Sequence, residues 1–195
     1  MRYSDFGLDS IERMLNLELV SAELFPSLVP VDTPAWLPDM LARMHRTLPL
    51  VSEKARCEAI VAPVLQAATE LGQPPLSIFS GVRLDQNPDS GLVGECDFII
   101  ARTAPVPRLK APLLTVVEAK RADLELGLAQ CIAQMEGIRQ FNSAAGIAIP
   151  VYGSVTTGEL WQFLKLDPGI LTLDTRRYPL HPLPELLAVL ARILR

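Results

Sequence analysis

The stretch Leu113-Leu114-Thr115-Val116-Val117-Glu118-Ala119-Lys120 constrains this chain more than any other. It opens as an apolar, β-branched run of the kind used by a strand covered on both faces. It ends in a carboxylate and an ammonium two positions apart. Side chains alternate along a strand, so Glu118 and Lys120 point one way and Val117 and Ala119 the other. Two charges at the end of a buried strand cost several kcal/mol unless they are paired or bound to something. A site for a metal ion and a water gives such an arrangement a reason.

Periodicity places this strand inside an alternation of helices and strands. Ser52 caps a predicted helix over Glu53–Leu71, whose apolar face carries Ile60, Val61, Val64 and Leu65, with Pro63 expected to kink it or to mark a later true start. Strands are predicted over Leu76–Leu84 and Gly94–Arg102, joined by a polar turn. Thr103–Pro112 is a proline-rich connection into the Glu118/Lys120 strand. Asp123 caps the next helix, Leu124 to Phe141. One flank of that helix carries Gly127, Gln130, Gln134 and Gly137, two amides one turn apart framed by residues without bulk. Ile147–Val155 and Glu159–Leu166 read as a hairpin, Ile170–Asp174 as a short strand and Pro184–Arg195 as a closing helix. Ahead of all this, residues 1–50 read as a helical extension. Asp9 and Glu12 suggest a capping box opening a helix to Glu23, and Thr33-Pro34 a second helix to Arg46. This Leu-rich extension is expected to pack on the core or on a dimer mate.

Composition narrows the function classes. The chain has 195 residues, 49% hydrophobic and 21% charged, a globular balance with room for one core. Its formal charge of −4 argues against tight non-specific nucleic-acid binding, so any DNA contact relies on a local basic patch. Cys57, Cys96 and Cys131 lack metal-ligand spacing and read as reduced, buried thiols. His45 and His181 stand alone in sequence, which disfavours a zinc site or a histidine triad. No apolar run reaches the roughly 18 residues of a membrane span, and the N-terminus lacks a secretory pattern. A cytoplasmic protein without membrane contact is expected.

The order helix, strand, strand, strand, helix, strand, with Asp97 in Gly94-Glu95-Cys96-Asp97-Phe98-Ile99-Ile100 and then Glu118-Ala119-Lys120, resembles the PD-(D/E)XK nuclease superfamily. The likeness covers residues 52–166, and Val155–Phe163 also resembles uncharacterised bacterial members. Cys96 stands where the family's nominal proline would be. The resemblance implies an α/β fold: a restriction-endonuclease-like mixed central sheet flanked by helices over residues 51–195, with the N-terminal helical addition before it.

It also implies a chemistry. Phosphodiester hydrolysis needs charge neutralised at the phosphate and a nucleophilic water at neutral pH. Mg²⁺ or Mn²⁺ would be held by Asp97 and Glu118, with the Ala119 carbonyl as a third ligand. Lys120 would orient the water or offset charge on the phosphate. Glu58 matches a position used for a second ion or a metal-bound water, against its plain reading as a solvated helix-edge residue. Gln130 or Gln134 would position Lys120 or touch the DNA backbone, against a reading as polar flank. Glu95 is the rival ligand to Asp97. Arg102, Arg108, Lys110 and Arg121, together with Lys120, form a candidate phosphate-facing patch, although charged loops are usually just solvated. The competing expectation is a nuclease-like fold kept as an accessory or interaction module without hydrolysis. A homodimer is expected in either case.

Overall fold

In the computed structural model, which describes residues 1–195, the Leu113–Ala119 strand is buried at every position. It is the fourth strand of a seven-stranded mixed sheet: β1 (Glu18–Ala22), β2 (Ser77–Arg83), β3 (Glu95–Ala101), β4 (Leu113–Ala119), β5 (Val151–Thr156), β6 (Leu160–Asp167) and β7 (Ile170–Pro179). The strand order is β1-β7-β6-β5-β4-β3-β2, which puts β4 well inside the sheet. Strands β1 and β7, and β4 and β5, run parallel, and all other pairs are antiparallel.

The helices are α1 (Leu8–Leu15), α2 (Trp36–Thr47), α3 (Glu53–Arg56), α4 (Ala62–Leu71), α5 (Glu125–Ala144) and α6 (Leu183–Ile193). They cover both faces, which is why β4 needs no polar side. Val117 joins a core with Phe98, Trp161 and Phe163 under α4 and α6. Its neighbour Val116 joins the opposite core with Cys131, Ile132 and Met135 of α5. Parallel β4 and β5 require a crossover, and α5 supplies it. Asp123 accepts a hydrogen bond from the Glu125 N–H at 2.9 Å, fixing where that helix starts.

The predicted helix over Glu53–Leu71 forms with one local change. Ser52 Oγ accepts from the Ala55 N–H at 3.1 Å, as expected of a cap. A π turn, Cys57–Val61, then separates α3 from α4. Pro63 lies within the first two residues of α4. Proline lacks an N–H and its ring crowds the preceding turn, so the helix widens there.

The N-terminal expectation needs correction. Helix α1 stops at Leu15, because Asn16 takes a left-handed conformation (φ 52°). Glu12 does not close a capping box; its Oε1 accepts the Leu19 N–H at 3.0 Å. The chain then enters β1, pairing Glu18–Ala22 with Ile170–Asp174 of β7. The first 50 residues are therefore not a purely helical addition. They complete the sheet edge, and Tyr3, Phe6, Ile11 and Leu17 join one core while Phe25, Leu37 and Leu41 join the other. The second predicted helix begins at Trp36, with Ala35 rather than Thr33 at the cap. The last strand runs five residues further than expected, to Pro179, because β6 pairs with it on both sides of an irregularity at Gln162–Leu164. No helix is long and apolar enough to cross a membrane.

Candidate active site

The C-terminal end of β4 gathers most of the singled-out residues. Strand β3 pairs with β4 through Phe98 and Val117, and continuing that register by one residue puts Asp97 across from Glu118. Asp97 Oδ2 accepts the backbone N–H of Ala119 at 2.8 Å. That bond fixes the carboxylate of one strand against the chain of the next.

Glu118 is only 2% exposed, and both of its oxygens are engaged. Lys120 Nζ donates to Oε1 at 2.7 Å, and Gln134 Nε2 donates to Oε2 at 2.9 Å. Lys120 also reaches the side-chain oxygen of Gln130 at 3.2 Å. Gln134 is fully buried and its Nε2 makes a second, longer bond to the Glu95 carbonyl at 3.3 Å. Its own Oε1 has no partner. The two amides of α5 thus act differently: Gln130 holds the amine, and Gln134 holds the acid and ties it to β3.

This contact requires α5 to lie very close to the strands. Gly127 makes that possible, since a Cβ there would sit 2.6 Å from Val155 Cγ1 and 3.0 Å from Lys120 Cγ. The small residue on the α5 flank is what lets the Lys120 stem pass beneath the helix.

Electrostatics follow from burial. Burial, followed by the charge of Asp97, pushes the Glu118 carboxyl up to about 7 despite the bonds from Lys120 and Gln134. Burial also raises Asp97, against the pull of the Ala119 N–H and Lys120. Burial works against the Lys120 ammonium, but Glu118, Glu53 and Asp97 outweigh it and raise its pKa. One cation therefore faces two carboxylates whose charges burial leaves under-compensated.

Beside the carboxylates opens a cavity of about 480 Å³ lined by Glu53, Lys54, Cys57, Glu58, Glu95 and Asp97 among others. Glu58 and Glu95 are exposed on its wall and neither side chain holds Lys120. Glu53 and Cys57 join this wall without having been singled out. Ser52 as a cap already places Glu53 in the first helical turn, but the π turn that presents Cys57 leaves no mark on a 3.6-residue period. Burial first, then Asp97, Glu118, Glu53 and Glu58, pushes the Cys57 thiol up to about 12, so it stays neutral. No three His, Cys, Asp or Glu side chains come together as a ligand group.

The cations divide. Lys120 belongs to the site and Arg121 follows it, exposed. Arg102 hydrogen-bonds the Arg195 carbonyl and, through its backbone, Pro112. With Arg108 and Lys110 it lies beyond the other end of β4, about 20 Å away for seven residues of strand. The expected single patch of Arg102, Arg108, Lys110, Lys120 and Arg121 does not form, because the connection carrying the first three enters β4 at its start while the site is at its finish.

No protein-family model and no curated protein matches this chain.

Proposed function

We propose that this chain is a Mg²⁺- or Mn²⁺-dependent phosphodiesterase that hydrolyses DNA, built on a restriction-endonuclease-like version of its α/β fold. One observation carries the reading: Asp97, Glu118 and Lys120 converge at one strand end, with both acids raised by burial and a single ammonium to offset them. The donor set fits a hard cation that keeps several of its waters and takes one or two carboxylates. The unpartnered, buried Oε1 of Gln134 beside Glu118 adds an acceptor for a water at the same place.

Asp97 and Glu118 would hold the ion. When bound, it supplies charge neutralisation at the phosphate and a more acidic water. The chain's own residues supply position. The Ala119 N–H fixes Asp97 Oδ2 and leaves Oδ1 free of that bond. Gln134 pins Glu118 against β3, and Gln130 keeps the amine over the carboxylates. An ammonium has three N–H donors, and Glu118 and Gln130 take two, leaving one for the attacking water or a phosphate oxygen. Glu58, on the cavity wall, is left for a second ion or a metal-bound water. The three free cysteines, two of them buried, suit the reducing cytoplasm where we place the protein.

The test is cleavage of single-stranded, duplex and supercoiled DNA with each metal. The expected result is activity that falls at least about a hundredfold in Glu118→Ala and Lys120→Ala, the scale of a lost transition-state contact. Equal activity in both variants would remove these residues from the mechanism. The accessory-module reading draws on the absence of a third ligating side chain beside the two acids. A calorimetric titration showing no binding at millimolar Mn²⁺ would favour it.

A further inference from the structure

A second cavity, larger than the acidic one, lies apart from it. It has a volume of about 600 Å³ and is floored by Leu41, Ile60 and Leu180, with His45, His181 and Glu159 on its rim. The chain has only two histidines, 136 residues apart, and both face this one cleft. A mostly apolar pocket of this size with a few polar groups at its mouth suits a planar organic ring. Two imidazoles and a carboxylate offer both donors and acceptors to the edge of such a ring.

Its position says which ring. The histidine cleft and the acidic cavity share a wall, the π turn: Cys57 and Glu58 line the acidic side and Ile60 the other. Gly158, in a left-handed conformation (φ 86°), packs directly on Ile60, and two residues earlier the Thr156 carbonyl accepts the Lys120 N–H at 2.7 Å. Arg56 stands at the same junction, donating from Nη1 to the Thr157 carbonyl at 2.9 Å. The Thr156–Gly158 segment thus runs from the Lys120 end of β4 to the wall of the cleft, with the Arg56 guanidinium beside it.

We propose that the cleft bounded by His45, His181 and Glu159 binds an unpaired base of the nucleic-acid strand whose phosphate lies at the Asp97/Glu118 end of β4. Bases in a duplex are stacked and offer only their edges. An unstacked base offers its faces to Leu41, Ile60 and Leu180 and its edge to the rim. The preferred substrate is then single-stranded, or carries a single-stranded arm. This rests on the nuclease reading for its occupant, and the two can fail separately.

The two histidines make the test clean, because their imidazole C–H protons give two well-isolated NMR signals. A single-stranded DNA oligonucleotide, its duplex and a free deoxynucleoside monophosphate are titrated into the whole protein, with cleavage measured in parallel. The single strand is expected to move both histidine signals and the duplex neither. Ala42→Trp, which fills the cleft from an exposed position on its rim, is expected to weaken single-strand binding at least about tenfold and leave duplex affinity within about twofold, as for a lost base contact. Ala42→Ser serves as the size control and should bind as wild type. Static histidine signals with DNA still cleaved would overturn this inference and leave the nuclease reading standing. Shifted signals and an Ala42→Trp defect with no DNA form cleaved would uphold the base site and overturn the nuclease reading. Duplex shifting the histidines equally, or the free nucleotide binding as tightly as the oligonucleotide, would also overturn the proposal.

Discussion

The Lys120 ammonium lies 2.7 Å from Glu118 Oε1, with side chains 15% and 3% exposed, so each charge is the main reason the other is tolerated where it is. Removing one partner of such a pair leaves the other buried and uncompensated. Lys120→Met should therefore destabilise the fold by roughly 3 kcal/mol at pH 8, and by clearly less at pH 5.5, where Glu118 can take a proton. Denaturant unfolding at the two pH values measures both. An equal loss at both would mean that Glu118 is not the group left stranded.

Glu118 itself sets a pH dependence. Its folded pKa is raised to about 7 from 4.5, so between those values the folded state holds a proton that the unfolded chain has released. Stability from this group is fully present below about pH 4.5 and is lost as pH rises through 7. Between pH 5.5 and 8 the loss is about 2 kcal/mol. Glu118→Gln should remove that share of the slope between pH 5.5 and 8. Thermal unfolding of both proteins across this range checks the prediction.

Gln134 bridges Glu118 Oε2 and the Glu95 carbonyl from a fully buried position. Gln134→Leu strips both acceptors of their donor and should cost about 1–3 kcal/mol. It should also weaken Mn²⁺ binding about 10–100-fold, the usual effect of losing a group that orients a ligand. Calorimetry reads the second effect independently of the first, and unchanged Mn²⁺ affinity would confine Gln134 to packing.

At Gly127 the added Cβ would strike Val155 and the Lys120 stem. Gly127→Ala should destabilise by about 1–3 kcal/mol through overpacking and lower cleavage by displacing the amine. The chemical shift of Lys120 Cε offers a direct readout. An unshifted Lys120 would show that the helix moves away instead.

Much of this site is legible locally. The apolar run before Glu118 requires a covered strand, and the charges at its end fall where the strand leaves the sheet. Gly127, Gln130 and Gln134 share a helix flank by simple periodicity, and the bond pattern follows once α5 lies over β4. What stays hidden depends on distant partners. Leu17–Val20 carries apolar residues compatible with a continued helix, and it becomes β1 because β7, some 150 residues later, has an open edge. Asn16 carries the local hint, as a residue that tolerates the left-handed turn. The separation of Arg102, Arg108 and Lys110 from Lys120 follows from strand direction, which residue spacing does not report. His45 and His181 look solitary along the chain, and only the packing of α2 on α4 and the π turn brings His45 to the cleft that His181 also lines.

The most direct measurement is anomalous diffraction from a crystal grown or soaked with Mn²⁺. One Mn²⁺ should lie about 2.1 Å from a carboxylate oxygen of Asp97 and one of Glu118, distances expected of a small hard cation, with Lys120 still within hydrogen-bond reach of Glu118 or of a metal-bound water. A fully occupied Mn²⁺ elsewhere on the protein, or none at millimolar concentration with the 2.7 Å Lys120–Glu118 pair intact, would contradict it.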